Sequence, residues 1–337
     1  MKKLLILLLA FITIAGSCSK KSTPGNGTNT PVVPPPPGTT LITLPAGWKP
    51  APGFTSSFPQ GIQLYFFDSL FNGQKVKAYC LAYDSKRTDF EFKPVVSATS
   101  KTPSAFFAEE PGITYACING GFFGGNQSFS LVKFNNVVSA TNIKTVTRSF
   151  NGSNTTYYPT RAAFGISSTG APSVAWIYHV GSGNNTIYSY PSPSRNELNT
   201  APQPEPSETF PSGGSLWNTV SAIGGSPVLI KNNTIQITDK EELISINNAS
   251  NRPRSAIGYT SSGIVFLLAV EGDNGTNYPG INLPDLAALL KTFNCFEAIN
   301  LDGGGSTSMI VGGTRTVRPG DNGTERPVIS ALLIKKK

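Results

Sequence analysis

Histidine is nearly absent from this chain. Its 337 residues include one, His179, together with four cysteines. That scarcity leaves no Cys/His cluster for zinc and no Ser-His-Asp or Cys-His machinery, so carboxylates must carry any acid–base work. Charge is scarce as well, at 14% of residues against 39% hydrophobic, which excludes a disordered chain and a coiled coil. Uninterrupted helical stretches are also few, because 34 glycines and 27 prolines break them, while 20 Phe and 11 Tyr suit pleated sheets. The expected class is α+β, with mixed, strand-rich sheets and few helices.

The chain opens with Lys2 and Lys3 and an apolar run from Leu4 to Gly16, too short to span a bilayer. It reads as a signal peptide, residues 1–17. Ala15-Gly16-Ser17-Cys18 places small residues directly before a cysteine, which resembles the lipobox of bacterial lipoproteins, so Cys18 is expected to become the acylated N-terminus. Residues 18–45 form a Pro/Gly/Ser-rich tether with four prolines in a row at 34–37, a composition that buries no core. The expectation is an exported lipoprotein, anchored to the outer or cytoplasmic membrane through Cys18 and facing the periplasm or exterior. Removing Lys2 and Lys3 lowers the formal charge from +8 to +6, and three of the remaining positive charges are Lys335 to Lys337. No basic stripe with interleaved aromatics exists for nucleic acid, and a monomer is expected.

Residues 46–337 read as one folded domain with a long Pro-rich insertion at 182–214, of the length that functional lids have. Twelve short β-branched and aromatic runs bounded by Gly, Asn and Pro predict strands, among them 62–67, 76–83, 90–96, 113–118, 255–259, 264–270, 298–301 and 328–333. The clearest helix is Pro284 to Phe293, with Leu286, Leu289, Leu290 and Phe293 on one face, and a shorter one is predicted at 104–110. Residues 265–301 therefore form a βαβ crossover. Cys80, Cys117 and Cys295 are an odd set once Cys18 is lipidated, and a disulfide between Cys80 and Cys117 is the pairing expected.

Three glycine-rich turns follow strands: Ile118-Asn119-Gly120-Gly121, Val270-Glu271-Gly272-Asp273, and Asn300-Leu301-Asp302-Gly303-Gly304-Gly305-Ser306-Thr307. Glycines there would permit positive φ and bring N–H groups toward an anion, with Ser306 and Thr307 hydroxyls adding donors. The third turn stands out because a carboxylate precedes three glycines at the end of the βαβ unit, the edge where ligands collect in α/β sheets.

With these segments, joined by Arg254-Ser-Ala-Ile-Gly258, Gly280-Ile-Asn-Leu283 and Glu325-Arg-Pro-Val328, the sequence resembles the phosphodiester glycosidases. That family includes the mammalian uncovering enzyme, N-acetylglucosamine-1-phosphodiester α-N-acetylglucosaminidase. The matching segments span Asn119 to Val328. Where the family usually has Asp-Gly followed by Arg or Gln, this chain has Glu271-Gly272-Asp273.

The resemblance implies cleavage of the bond between an anomeric carbon and a phosphate in a phosphodiester-linked glycan of the N-acetylglucosamine-1-phospho-sugar type, leaving a phosphomonoester. A phosphate monoester leaves readily, so the site needs anion stabilisation and a carboxylate facing the oxocarbenium-like carbon. Asp302 and Glu271 are the candidate catalytic carboxylates. Arg254 and Arg326, with Asn119, Gly120, Gly121, Gly303, Gly304, Gly305, Ser306 and Thr307, are the candidate substrate and phosphate contacts. No cofactor is required on this reading. Two alternatives stay open: a non-catalytic glycan-binding lipoprotein, and a metal-dependent phosphodiesterase with Asp302, Glu271 and Asp273 as oxygen ligands to Mg²⁺ or Ca²⁺. Plainer roles exist for each residue: Asp302 as a turn cap, Glu271 as a strand-end charge, Asn119 as a backbone anchor, the arginines as surface ion pairs, and His179 as structural.

Overall fold

Backbone pairing in the computed structural model follows the alternation of the sequence. It describes residues 40–51, 53–54, 58–272 and 278–337; the leader, Cys18, most of the tether and Asp273 lie outside them. An eight-stranded sheet runs in the order Trp48–Pro50, Ile62–Phe71, Gln74–Asp84, Ile264–Val270, Arg254–Thr260, Cys295–Asn300, Val228–Lys231 and Thr234–Ile235. A five-stranded sheet is built from Thr314–Arg315, Met309–Val311, Thr114–Asn119, Val328–Lys336 and Phe90–Lys101. A seven-stranded sheet centres on Arg161–Ile166 and Pro172–His179. The expected strand-rich α+β class holds, with two α-helices among the described residues.

Period-two patterning sorts the side chains into layers. Ala116 and Ile118 enter the main core with Leu332 and Ile334, opposite Leu81, Val265, Leu267, Ile257 and Ile299 of the eight-stranded sheet. Their neighbours Cys117, Ala331 and Leu333 turn the other way, onto Phe106 of helix α1, Pro103–Glu109. The far face of the eight-stranded sheet packs on helix α2, Leu283–Thr292. Here Asn282 caps the first turn through its Oδ1, which accepts from the Asp285 N–H at 2.8 Å. The cap contributes about 1 kcal/mol, whereas burying each of Leu286, Leu289 and Leu290 contributes roughly 1.5–3 kcal/mol. Packing therefore holds the helix in place.

The βαβ crossover is present. Ile264–Val270 and Cys295–Asn300 each run antiparallel to Arg254–Thr260 between them, hence parallel to one another, and α2 links them. Consequently the residues that follow both strands, and the residue that starts the middle one, meet at a single sheet edge.

The expected Cys80–Cys117 disulfide does not form: Cys80, Cys117 and Cys295 are all free and buried. Cys80 sits in the eight-stranded sheet on its α2 face and Cys117 in the five-stranded sheet on its α1 face, with the main core between them. Burial pushes the Cys295 thiol up to about 12 and raises the other two. Residues 182–214 include the strand Ile187–Tyr190 and are tied down by reciprocal bonds between buried Thr160 and Ser194.

Candidate active site

Asp302 follows Cys295–Asn300 at that shared edge. Its Oδ1 accepts from the N–H of the next residue, Gly303, at 2.9 Å, a local side-chain-to-backbone bond that aims the carboxylate. Burial raises the carboxyl from the ordinary 3.8 to about 6, opposed by Ser306, Gly303 and the positive charge of Arg326. Ser306 Oγ leans toward the carboxylate without closing a hydrogen bond, and the Thr307 hydroxyl beyond it is buried and has no partner in the protein. A carboxyl group so held is charged at neutral pH and carries its charge at a cost, the condition that suits a group facing a developing cation.

The glycines serve close approach more than positive φ. Among Gly303, Gly304 and Gly305 only Gly304 is left-handed, at φ +58°. A Cβ on Gly120 would collide with Ser330, and one on Gly121 with Ser130 and the Gly224 carbonyl. The N–H groups of Gly303, Gly304, Ser306 and Thr307 all bond within the protein, so these four amides are already engaged.

Asn119 ends its strand of the five-stranded sheet fully buried. Its amide donates to the Asp302 carbonyl at 2.8 Å and the Gly120 carbonyl at 3.1 Å. Its Oδ1 accepts from Ser255 Oγ at 2.6 Å and the Ser308 N–H at 3.3 Å. Ser308 Oγ in turn donates to Glu325, which also receives the Ser104 N–H of α1. Ser255, Ser308 and Glu325 were not singled out by sequence reasoning. Ser255 and Glu325 stand inside two of the family-like segments, so a signal was there to find.

Arg254 is buried, and its guanidinium donates to the carbonyls of Ile281, Asn247 and Ser250. Burial beside Arg252 lowers it to about 10, and its Cδ stays close to Gly303. Arg326 lies over Gly305, half exposed, in a two-point ion pair with Asp321 at 2.7 and 2.8 Å. Glu271 is 2% exposed, and its Oε2 takes both the Lys77 ammonium at 3.1 Å and the Arg318 N–H at 2.9 Å. The structure thus gathers Asn119, Arg254, Asp302 and Arg326 around one turn, and sets Glu271 at the same edge behind the 316–320 segment, whose Gly320 abuts Gly304. Among the described residues no three His, Cys, Asp or Glu side chains are grouped to hold a metal. Cavities of about 550 and 280 Å³ are bordered by other residues, including Arg148, Leu243 and Ile246 for the larger and Lys86 and Arg87 for the smaller.

Residues 114–335, about two thirds of the chain, match the phosphodiester glycosidase family. The chain belongs to that family. Among curated relatives, the bovine N-acetylglucosamine-1-phosphodiester alpha-N-acetylglucosaminidase is 34% identical over 113 residues, 31% of this chain and 21% of that protein. An uncharacterised SPβ-prophage-derived protein of Bacillus subtilis is 35% identical over 82 residues, 24% of this chain and 12% of its own length. The chain thus spans about a fifth or less of these relatives. Among solved structures, the catalytic domain of the zebrafish N-acetylglucosaminidase, auto-inhibited by its pro-peptide, superposes with TM-score 0.55 at 17% identity, covering 88% of this chain and 89% of that one. A hypothetical protein from Synechocystis gives 0.54 at 16%, covering 82% and 62%. At these identities the structural matches establish the shared fold. As a phosphodiester glycosidase family member, the chain has its family-matched region running from the strand that ends in Asn119 to the strand that begins at Val328.

Proposed function

We propose that this protein hydrolyses glycosyl phosphodiesters of the N-acetylglucosamine-1-phospho-sugar type, breaking the bond between the anomeric carbon and the phosphate oxygen. The observation that carries the reading is the Asp302 turn, a half-buried carboxylate aimed by its own loop and flanked by a cation on the exposed side. In the reaction the C–O bond electrons leave with the phosphate, which departs as a monoester. Asp302 faces the positive charge that develops on the sugar carbon, and water completes the product sugar. Arg326 is the cation able to reach the phosphate, since its fork exchanges one pair of acidic oxygens, those of Asp321, for another. Arg254 braces the backbone of this edge through three carbonyls. Glu271, neutralised by Lys77, fixes the 316–320 segment.

The reading includes export: Cys18 is acylated and the tether holds the enzyme at a membrane facing the periplasm or exterior, where phosphodiester-linked glycans are exposed. Incubation of the purified protein with N-acetylglucosamine-1-phospho-sugar, followed by ³¹P NMR, tests the activity. The expected product is a phosphomonoester on the second sugar with free N-acetylglucosamine. Release of N-acetylglucosamine 1-phosphate would assign a phosphodiesterase, and no product would leave a glycan-binding protein.

A further inference from the structure

An asparagine amide has two donor and two acceptor positions, and at Asn119 all four are filled by the protein itself. Nothing is left over to grip a substrate. What the amide grips instead is the backbone of Asp302, and it does so from the other sheet. The carbonyl of Asp302 receives Asn119 Nδ2, while its N–H donates to the Gly120 carbonyl at 3.1 Å. Both polar atoms of the Asp302 backbone are therefore held by the Asn119-Gly120 pair. The orientation of that amide is set in turn by Ser255 of the eight-stranded sheet and by the Ser308 N–H, which can only donate, so Oδ1 and Nδ2 cannot exchange places without burying unpaired donors.

We infer that Asn119 is a positioning residue for Asp302, with Ser255 as the group that orients it, and that the carboxylate is aimed by a clamp bridging the two sheets. This inference rests on the catalytic reading of Asp302. Losing the clamp frees the Asp302 turn from one side, lets the carboxylate swing toward solvent and misaligns it by a fraction of an ångström, which is enough to cost rate without costing binding.

The test uses the full chain solubilised in detergent, with two readouts on Asn119→Ala and Ser255→Ala. Steady-state kinetics on N-acetylglucosamine-1-phospho-sugar should show kcat lowered about 30-fold or more for Asn119→Ala and about fivefold for Ser255→Ala, with KM within threefold in both. Titration of the carboxyl followed by ¹³C NMR of aspartate-labelled protein, assigned by the signal missing from Asp302→Asn, should show the Asp302 midpoint falling from about 6 toward the ordinary carboxylate range in both variants. A tenfold rise in KM with kcat and the midpoint unchanged would make Asn119 a substrate contact and overturn the inference. Unchanged kinetics and midpoint would overturn it as well. Should Asn119→Ala fail to fold, Ser255→Ala decides by the same criteria. Should the wild type prove inactive, the catalytic reading fails, and the clamp stands or falls on the titration alone.

Discussion

Replacing Asp302 by asparagine should stabilise the protein at pH 7.5 while removing its activity. The carboxyl titrates near 6 in the folded chain against 3.8 ordinarily, because burial disfavours its charge. Between those values the folded chain retains a proton that the unfolded chain has released, so wild-type stability falls as pH rises through this window. Two units at about 1.4 kcal/mol each make the full loss about 3 kcal/mol. Asparagine is nearly isosteric, still accepts from the Gly303 N–H and carries no charge to desolvate. The variant should therefore gain roughly 1–3 kcal/mol over wild type at pH 7.5, shrinking to about 0.5 kcal/mol at pH 4, where the folded Asp302 is protonated. Urea unfolding at pH 4, 5, 6 and 7.5 measures the difference directly. The same variant should lose kcat far more than it gains in KM, because the carboxylate acts on charge that exists only in the transition state. Equal stability of the two proteins at pH 7.5, or a constant difference across the range, would refute the half-buried and costly carboxylate.

Three further outcomes follow from other parts of the fold. His179 accepts the Asn142 N–H at Nε2 and donates from Nδ1 to the Asn184 carbonyl, and burial holds it below 6.5; its contribution is complete above 6.5 and is lost as pH falls through the folded value, so His179→Gln should flatten the stability slope between pH 7 and 5 in urea titrations. Glu242, fully buried, accepts from Ser226, Thr238, Trp176 and the N–H groups of Ala162 and Val228. Glu242→Ala should cost roughly 3–5 kcal/mol in the same assay, since it strands that set of donors. Cys18→Ala should release the protein from membranes, and retention of that variant after a carbonate wash would contradict lipid anchoring.

Much of the fold was legible because local chemistry settles it. Short runs such as 264–270 carry strand propensity whatever they pair with, and Pro284 ahead of the leucine stripe marks a helix start by local chemistry. Partnership was not legible. Nothing local tells Cys80 that its neighbours are Leu268 and Tyr65 while Cys117 lies in another sheet, so the disulfide expectation failed on long-range pairing. The candidate site shows the same division. Asp302 announces itself through the glycines after it, and Arg254 and Arg326 through charge. Ser308, by contrast, has nothing in composition or spacing to mark it, and Ser255 is marked only by the family-like segment it stands in; each hydrogen-bonds Asn119, more than 130 positions away. The glycines were visible, but their reason was partly different: Gly120 is required by the approach of Ser330 from a distant strand, a constraint sequence alone does not display.

The bond that breaks is the centre of the account. Hydrolysis of N-acetylglucosamine-1-phospho-sugar in ¹⁸O-labelled water, with mass analysis of the phosphomonoester product, shows where water attacks. Attack at the anomeric carbon leaves the phosphate unlabelled, as expected for a carboxylate that supports a glycosyl cation. A phosphomonoester carrying ¹⁸O would place the attack at phosphorus and contradict the assignment of Asp302.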